Sequence, residues 1–294
     1  MENKIKKIHF VGIGGSGMSG IAEVMHNLKF KVQGSDLGKS EAIKHLKKVG
    51  IKIFTKHSEK NVNNIDVIVV SAAISKQNPE IKAAIKKKIP IIPRAEMLSE
   101  LMRFKKGIAV AGTHGKTTTT SLIASILTEG KLDPTYVIGG RLNSMNVNAK
   151  LGGSDLMVVE ADESDASFLH LNPVNAVITN IDNDHLGTYQ NKFENLKKTY
   201  IDFIHQVPFY GTIFLCLDDL HVKNIIPNLS RPIVTYGLSS KSDIQASNIR
   251  HNGNKMHFKV RDKKYKRNEF DITINFPGEH FVRNTLAAIA IGLE

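Results

Sequence analysis

The sequence has no tryptophan and only one cysteine, Cys216. A single cysteine cannot form an intrachain disulfide, and it excludes a cysteine-rich zinc site. It lies in an apolar run at 213–217 and has no second cysteine to pair with. An unpaired cysteine is typical of a protein from a reducing compartment, so we expect a cytoplasmic location. A run of about eighteen apolar residues, the length that spans a bilayer, is also absent, so the sequence predicts no membrane partner.

Aromatic residues are few, at 6% of the chain, whereas basic residues are in excess, with 40 Lys+Arg against 28 Asp+Glu and a net charge of +12. A basic chain invites a nucleic-acid-binding interpretation. The excess is spread over scattered lysines, such as those at 86–88, 105–106 and 263–266, without interleaved aromatics or a nucleic-acid-binding motif. We therefore predict no nucleic-acid partner, and a lysine-rich surface that favours small anionic substrates.

Length and hydrophobic content predict a folded chain of two domains, because 294 residues with 41% hydrophobic composition can form two cores. Short apolar runs alternate with helical patterns from residue 8 onward, which predicts an α/β fold with a parallel sheet covered on both faces. The pattern restarts near residues 104–107. We therefore predict domains at 1–105 and 106–294.

A glycine-rich turn, GIGGSG at 12–17, follows the first predicted strand and opens a helix. Asp36 follows the second strand, where a Rossmann-type unit places the acid that holds a ribose. Ser71 also follows a strand, although a small-residue turn explains it equally well. The pattern indicates nucleotide binding, with a purely structural turn as the alternative. The candidate nucleotide-binding residues are Gly12, Gly14, Gly15, Ser16, Gly17, Ser35, Asp36 and Ser71.

The second half is organised around an apolar run at 108–111, the turn GTHGKT at 112–117 and an apolar-periodic helix. Glycines let backbone N–H groups curl round a phosphate, and the helix presents its positive end. Lys116 adds a charge, and the hydroxyl of Thr117 can bind Mg2+. The candidate phosphate-binding residues are Gly112, Thr113, His114, Gly115, Lys116, Thr117 and Thr118.

This turn is shorter than the usual P-loop, so a structural glycine turn with a solvated lysine is the alternative interpretation. The four threonines at 117–120 are poor helix formers, and we therefore expect them to contact a ligand.

Acidic and histidine side chains follow the next predicted strands. Glu160 is the first acid after the strand at 156–159, and a carboxylate at that level of a P-loop helps to hold Mg2+. Asp184 and His185 follow the strand at 176–179, so they are candidates for a second metal position or for ordering a substrate. Other histidines have no such context, including His26, His45, His57, His221 and His251.

Taken together, these motifs resemble the Mur ligases, ATP-dependent ligases of peptidoglycan synthesis. The short GTHGKT loop is the form that this family uses. The wording EADESDASFLHL at 160–171 resembles the members that join L-alanine to UDP-N-acetylmuramate. The other stretches that carry the resemblance are HFVGIGGSGMSGIAEVM at 9–25, SAAISKQNPEI at 71–81, IPRAEMLSELMRF at 92–104, AVAGTHGKTTTT at 109–120, TNIDNDHL at 179–186 and TYQNKFENLK at 188–197.

The resemblance implies a Rossmann-like domain that binds the UDP-sugar, a P-loop-type central ATPase domain with Mg2+, and a third domain for L-alanine. ATP would convert the substrate carboxylate to an acyl phosphate, which the amine of L-alanine attacks. By matching positions, the catalytic residues would be Lys116 on the migrating phosphoryl group, Thr117 and Glu160 on one Mg2+, and His185 on a second. Asn284 would contact ATP.

The chain departs from the family pattern in three places. It stops inside its last predicted helix, at 281–294, so we expect the third, C-terminal domain to be absent. A split enzyme with that domain on a separate chain and a decayed gene product are two alternative explanations. Phe281 and Gly187 stand where the family often has asparagine and aspartate. We expect this chain to fold and to bind both nucleotides, but to ligate poorly alone.

Three other functions compete with this interpretation. An NAD-dependent dehydrogenase would explain the first glycine turn and Asp36, but it leaves the second phosphate loop without a role. A P-loop kinase or GTPase leaves the first domain unexplained. A non-catalytic binding module is the third alternative.

Overall fold

The structure is a computed structural model that describes residues 5–103, 105–139 and 149–294. Its contacts divide the chain into two compact units. The first comprises Met1–Leu101 with Thr135–Gly153, and the second comprises Met102–Pro134 with Ser154–Glu294. The first crossing lies close to the predicted break after residue 105. The return of Thr135–Gly153 to the first unit has no counterpart in the sequence prediction.

The first unit contains a five-stranded sheet in the order β3-β2-β1-β4-β5, and all its strand pairs are parallel. The predicted Rossmann-like alternation of strands and helices is confirmed. Its strands are β1 (Lys7–Val11), β2 (Lys31–Ser35), β3 (Lys52–Phe54), β4 (Val67–Val70) and β5 (Ile91–Pro93), and its helices are α1 (Ser16–Asn27), α2 (Glu41–Lys48), α3 (Pro79–Lys86) and α4 (Arg94–Met102).

Local sequence signals set these elements. The middle strands are apolar on both faces, and Ile8, Phe10 and Ile68 are fully buried between the helices. Helix α2 begins after Ser40, whose hydroxyl accepts the N–H of Ile43. Helix α3 begins with an asparagine cap followed by a proline at its first turn. The two cap side chains accept N–H groups that have no partner within the helix. The proline has no N–H group, so it removes one donor that would otherwise lack a partner.

The short strands β7 (Thr135–Val137) and β8 (Ala149–Lys150) form an antiparallel pair, and α1 packs against both of them. These contacts place the pair in the first unit. A strand of two residues such as β8 has no readable alternation, so the sequence does not reveal it.

The second unit has a sheet in the order β15-β14-β13-β12-β11-β10-β6-β9. Strands β9 through β12 and β6 pair in parallel, and β13, β14 and β15 form an antiparallel meander. Its strands are β6 (Lys106–Ala111), β9 (Leu156–Glu160), β10 (Asn175–Ile178), β11 (Ile213–Cys216), β12 (Ile233–Gly237), β13 (Ile244–Asn252), β14 (Lys255–Asp262) and β15 (Phe270–Ile274), and its helices are α5 (Lys116–Glu129), α6 (Phe193–His205), α7 (Leu220–Ile225) and α8 (Glu279–Leu293).

Helix α8 packs against α5 and against strands β11, β12 and β13. Val282, Leu286 and Ala290 are fully buried on its inner face, so this helix docks on the sheet. Of the helices within the described ranges, none combines the length and apolarity that crossing a membrane requires.

The run of threonines in α5 serves the fold more than we expected. Thr119 and Thr120 are fully buried, and the hydroxyl of Thr120 donates to the carbonyl of Lys116 at 2.8 Å. A threonine that bonds to the preceding turn and packs inside is tolerated in a helix. The expectation of ligand contacts is therefore wrong for these two threonines, and it remains a prediction for Thr117 and Thr118.

Candidate functional site

The loop Gly112–Gly115 joins the end of β6 to the start of α5. Gly112 has φ 139° and Gly115 has φ 80°, which are backbone conformations that side chains with a β-carbon rarely adopt. A β-carbon at Gly112 would also overlap the hydroxyl of Thr179. Both glycines are therefore required by the shape of the loop.

The segment after β10 holds this loop in place. Asn180 accepts the N–H of Thr113 on its carbonyl at 3.2 Å and the N–H of His114 on its side chain at 2.8 Å. The N–H of Asp182 donates to the hydroxyl of Thr113 at 2.8 Å. The ring of His114 is exposed, with Nε2 3.4 Å from a carboxylate oxygen of Asp182. The loop is thus fixed by protein contacts.

Lys116 stands at the start of α5 and folds back over the loop. Its ammonium donates to the carbonyl of Gly112 at 2.7 Å and to that of Thr113 at 3.2 Å. It also pairs with Glu163, at 3.0 Å from Oε1 and 2.8 Å from Oε2. Burial raises the pKa of the Glu163 carboxyl, and the adjacent Lys116 only partly opposes this rise.

Sequence reasoning chose Glu160 among the acids at 160–165 and missed Glu163. The side chain of Glu163 is 2% exposed, although a run of acids usually indicates a solvated loop. Its partner Lys116 lies 47 residues away, so no local pattern could have identified the pair.

Thr117 and Glu160 lie next to each other. The hydroxyl of Thr117 donates to both carboxylate oxygens of Glu160, at 3.0 and 3.1 Å. Glu160 is the last residue of β9, and Thr117 belongs to the first turn of α5. A hydroxyl and a carboxylate are the hard oxygen ligands that Mg2+ prefers. These two residues fit the first metal position that the sequence analysis predicts.

His185 precedes a short 3-10 helix at Leu186–Tyr189 and has φ 55°. Its ring is 46% exposed, and Nε2 lies 3.7 Å from a carboxylate oxygen of Asp184. Among the described residues, no group of three His, Cys, Asp or Glu side chains is arranged to hold a metal ion. A metal position at His185 therefore stays a prediction. A β-carbon at Gly187 would meet open space, so sterics do not explain glycine at that place.

Helix α8 brings Asn284 to the phosphate loop. Asn284 is buried, and its Oδ1 would lie 2.8 Å from a β-carbon built at Gly115. One turn earlier, Phe281 stacks on Phe276 with ring centres 5.0 Å apart and an interplanar angle of 24°. The departure at Phe281 thus has a packing role, in which an aromatic ring pairs with another ring at the start of α8.

In the first unit, Asp36 braces the glycine turn between β1 and α1. Its carboxylate accepts the N–H of Gly14 at 2.8 Å on one oxygen and that of Gly38 at 2.8 Å on the other. The N–H of Gly12 donates to the carbonyl of Ser35 at 2.8 Å. The structure thus brings the predicted glycines and Asp36 together at the carboxyl ends of β1 and β2.

Two more side chains border this turn. A β-carbon at Gly12 would lie 3.3 Å from Cβ of Ser71, so Ser71 lies beside the turn. A β-carbon at Gly17 would lie 3.0 Å from a guanidinium nitrogen of Arg94, a residue that the sequence analysis did not select. Gly15 accepts the first N–H groups of α1, and the side chain of Ser16 lies outside what the structure describes.

A buried polar cluster lies behind the turn, around the carboxylate of Glu80. Ser35 donates to it at 2.6 Å and Asn61 at 2.6 Å, while ring nitrogens of His57 and His9 lie at 2.8 and 3.3 Å. Burial alone would raise the pKa of Glu80, but hydrogen bonds from His9, Ser35 and Asn61 lower it to about 2.

This cluster corrects two parts of the sequence analysis. The side chain of Ser35 is fully buried and bonded to Glu80, so its hydroxyl is directed into the protein and not toward a nucleotide. His57 does not lie on an ordinary loop, because its ring contacts the ionised Glu80.

Comparison with known proteins assigns the fold to a family. Residues 110–292 match the Mur ligase middle domain, and residues 7–106 match the catalytic domain of the Mur ligase family. The chain belongs to the Mur ligase family. The fold class that the resemblance implied, a Rossmann-like domain followed by a P-loop-type central domain, is confirmed.

This Mur ligase chain is 55% identical over 296 residues to the UDP-N-acetylmuramate–L-alanine ligase of Neisseria gonorrhoeae, and 55% identical over 294 residues to that of Hydrogenovibrio crunogenus. Each comparison covers 100% of this chain and 63% of the relative. The chain thus spans less than two thirds of the length of these relatives.

Solved Mur ligase structures give the same result. The UDP-N-acetylmuramate–alanine ligase of Thermotoga maritima superposes with a TM-score of 0.84 at 32% identity, over 97% of this chain and 64% of that one. The UDP-N-acetylmuramate:L-alanyl-γ-D-glutamyl-meso-diaminopimelate ligase from Neisseria gives a TM-score of 0.87 at 25% identity, over 98% and 93% of the two chains.

Proposed function

We propose that this chain is the UDP-sugar-binding and ATP-binding part of a ligase that joins L-alanine to UDP-N-acetylmuramate in peptidoglycan synthesis. The support is its 55% identity to relatives with that name. Because the chain spans 63% of their length, the complete activity is proposed for a protein that also has the C-terminal part. We place the reaction in the cytoplasm, where both nucleotides are available.

The observation that carries the proposal is the arrangement at the start of α5. Lys116 lies over the glycine loop, and Thr117 lies 3.0 Å from a carboxylate oxygen of Glu160. A phosphate cradle, a cation beside it and a pair of oxygen ligands are the parts that phosphoryl transfer from ATP requires. A dehydrogenase has no use for this second site.

The residues at this site would have separate roles in binding ATP and Mg2+. The N–H groups of Thr113 and His114 donate to Asn180, so the N–H groups at the start of α5 would bind the phosphates. Lys116 would neutralise charge on the group in transfer. Thr117 and Glu160 would hold a Mg2+ ion, which when bound neutralises phosphate charge, and His185 would hold a second. Asn284, beside Gly115, would contact the bound ATP.

The reaction has two steps. A carboxylate oxygen of UDP-N-acetylmuramate attacks the γ-phosphorus of ATP, the bond to the bridging oxygen breaks, and ADP leaves. The amine of L-alanine then attacks the acyl carbon, phosphate leaves, and the amine loses a proton. The first unit would hold the UDP-sugar at the turn braced by Asp36, with Ser71 beside it.

Calorimetric titration of the 294-residue chain tests the proposal. We expect ATP–Mg2+ and UDP-N-acetylmuramate to bind and NADH not to bind. Lys116→Ala should weaken ATP binding by about 1.5–3 kcal/mol, the size of a charge-assisted hydrogen bond, and leave UDP-sugar binding unchanged. Lys131→Ala, which removes an exposed lysine after the other end of α5, is the control. If Lys116→Ala lowers the affinity for ATP and for the UDP-sugar equally, the assignment of two sites is contradicted.

A further inference from the structure

The ammonium of Lys116 is fully engaged by acceptors of the protein itself. It has three N–H donors, and its acceptors are the carbonyls of Gly112 and Thr113 and the carboxylate of Glu163. The side chain is only 14% exposed, so water contributes little. A phosphate that binds Lys116 must therefore replace at least one of these acceptors.

Glu163 is the acceptor whose replacement matters most. A carbonyl that loses Lys116 remains neutral, whereas a buried carboxylate that loses its cation becomes an uncompensated charge. The backbone also fixes Glu163, because its carbonyl accepts the N–H of Ala166 at 3.0 Å and the hydroxyl of Tyr189. The carboxylate is thus held at the loop and cannot follow Lys116 far.

We propose that Glu163 is an internal counter-anion: it holds Lys116 at the phosphate loop and gives the ammonium up to a bound polyphosphate by taking up a proton from solvent. The inference rests on the proposed function, because it treats this loop as the ATP site. Glu163 acts through Lys116 and is a positioning residue. Its competition with phosphate lowers nucleotide affinity, which favours release of the nucleotide product.

The surroundings of Glu163 support proton uptake. Lys116 from α5 is the cation that faces it, and the neutral phenols of Tyr189 and Tyr200 face it from the 3-10 helix and from α6. Asp162, in the same loop, adds a second negative charge. A polyphosphate would bring several more negative charges to the same ammonium. Protonation of the carboxyl group removes one of these like charges from a buried site.

Glu163→Gln tests this inference, because glutamine keeps an oxygen acceptor for Lys116 and removes the charge. Calorimetry with Mg2+ and the β,γ-imido analogue of ATP at pH 7 should show binding about tenfold tighter than in the wild type, the effect of removing one buried like charge. Asp165→Asn removes an exposed charge from the same loop, away from Lys116, and should change the affinity by less than about twofold.

The second measurement is the number of protons taken up when the analogue binds. Calorimetric titrations in two buffers of different ionisation enthalpy give this number. The wild type should take up more protons per analogue bound than Glu163→Gln does, and its affinity should fall more steeply as pH rises. Protons that the analogue itself gains or loses on binding are the same for both proteins, so they cancel in the difference in proton uptake. If Glu163 had only a structural role, the wild type and Glu163→Gln would take up the same number of protons.

The outcomes are distinct. Equal or weaker binding by Glu163→Gln, or the same proton uptake as in the wild type, would overturn the inference while ATP binding itself stands. A wild-type chain that binds no analogue would instead contradict the proposed function. If Glu163→Gln does not fold, the wild type alone decides, because absence of uptake beyond that of the analogue overturns the inference.

Discussion

The side-chain amide of Asn284 lies against Gly115, with Oδ1 2.8 Å from the position that a β-carbon at Gly115 would occupy. Helix α8 therefore closes one side of the phosphate loop, although it is far from the loop in sequence and is the last helix that the structure describes. The shape of the loop depends both on the conformation of Gly115 and on the packing of α8 against α5.

We expect Gly115→Ala to damage this loop. An alanine at φ 80° is strained, and its β-carbon would push Asn284 away, for a combined cost of about 1–3 kcal/mol in the free energy of unfolding. Urea unfolding should show a lower free energy of unfolding, and calorimetry should show weaker binding of the ATP analogue. Gly187→Ala is the matched control, because its added β-carbon meets open space. Equal effects of the two substitutions would argue against the contact.

Asp36 and Asp66 allow a matched comparison in the first unit. Each carboxylate accepts two backbone N–H groups at 2.8 Å, Asp36 from Gly14 and Gly38, and Asp66 from Lys6 and Lys7. Replacement of either by alanine should cost about 1.5–3 kcal/mol of stability. Only Asp36→Ala should weaken UDP-N-acetylmuramate binding, by about tenfold or more, because Asp36 braces the glycine turn. Loss of affinity in both variants would show a general effect of stability.

The proposed metal ligands predict a change in Mg2+ dependence. Glu160→Gln should raise the Mg2+ concentration that half-saturates analogue binding by about tenfold or more, and His185→Ala should raise it as well. Glu129→Gln, at the exposed end of α5, should leave it unchanged. If Mg2+ dependence is unchanged in both ligand variants, neither side chain binds the ion, and Asp184 becomes the next candidate.

Glu80 predicts an acid-sensitive first unit. Its pKa falls from an ordinary 4.5 to about 2 in the folded protein, so its ionised form stabilises the fold. This contribution, about 3 kcal/mol, should be present above about pH 4.5 and should be lost as pH falls toward 2. Urea unfolding between about pH 3 and pH 7 measures it.

Glu80→Gln should be less stable than the wild type near pH 7, and the difference should shrink in acid. Glu41→Gln, which removes an exposed carboxylate on α2, should keep the pH dependence of the wild type. A constant difference between Glu80→Gln and the wild type at every pH would mean that the charge of Glu80 does not stabilise the fold.

The regular parts of this fold follow from the sequence because apolar runs and helical spacing are local signals. Strand β6, the glycine turn and helix α5 lie within one short stretch, and the loop between them follows from its glycines. The pairing of Thr117 with Glu160 also follows, since parallel strands place their carboxyl ends at one edge of the sheet.

The contacts of the two buried carboxylates do not follow from the sequence. Glu163 and Glu80 look like surface acids, and their partners are distant in the chain: Lys116 and Glu163 differ by 47 in residue number, and His9 and Glu80 differ by 71. Burial of a carboxylate depends on tertiary packing, which residue type and periodicity do not report. The inward direction of Ser35 escaped prediction for the same reason, because its partner is Glu80.

The return of Thr135–Gly153 to the first unit links the two halves topologically. The chain passes between the units after Leu101, after Pro134 and after Gly153, so no single cleavage releases both units whole. A fragment that ends at Leu101 would leave β7 and β8, the strands against which α1 packs, on the other piece. Complementation between two fragments split there would require the second piece to supply that strand pair in trans.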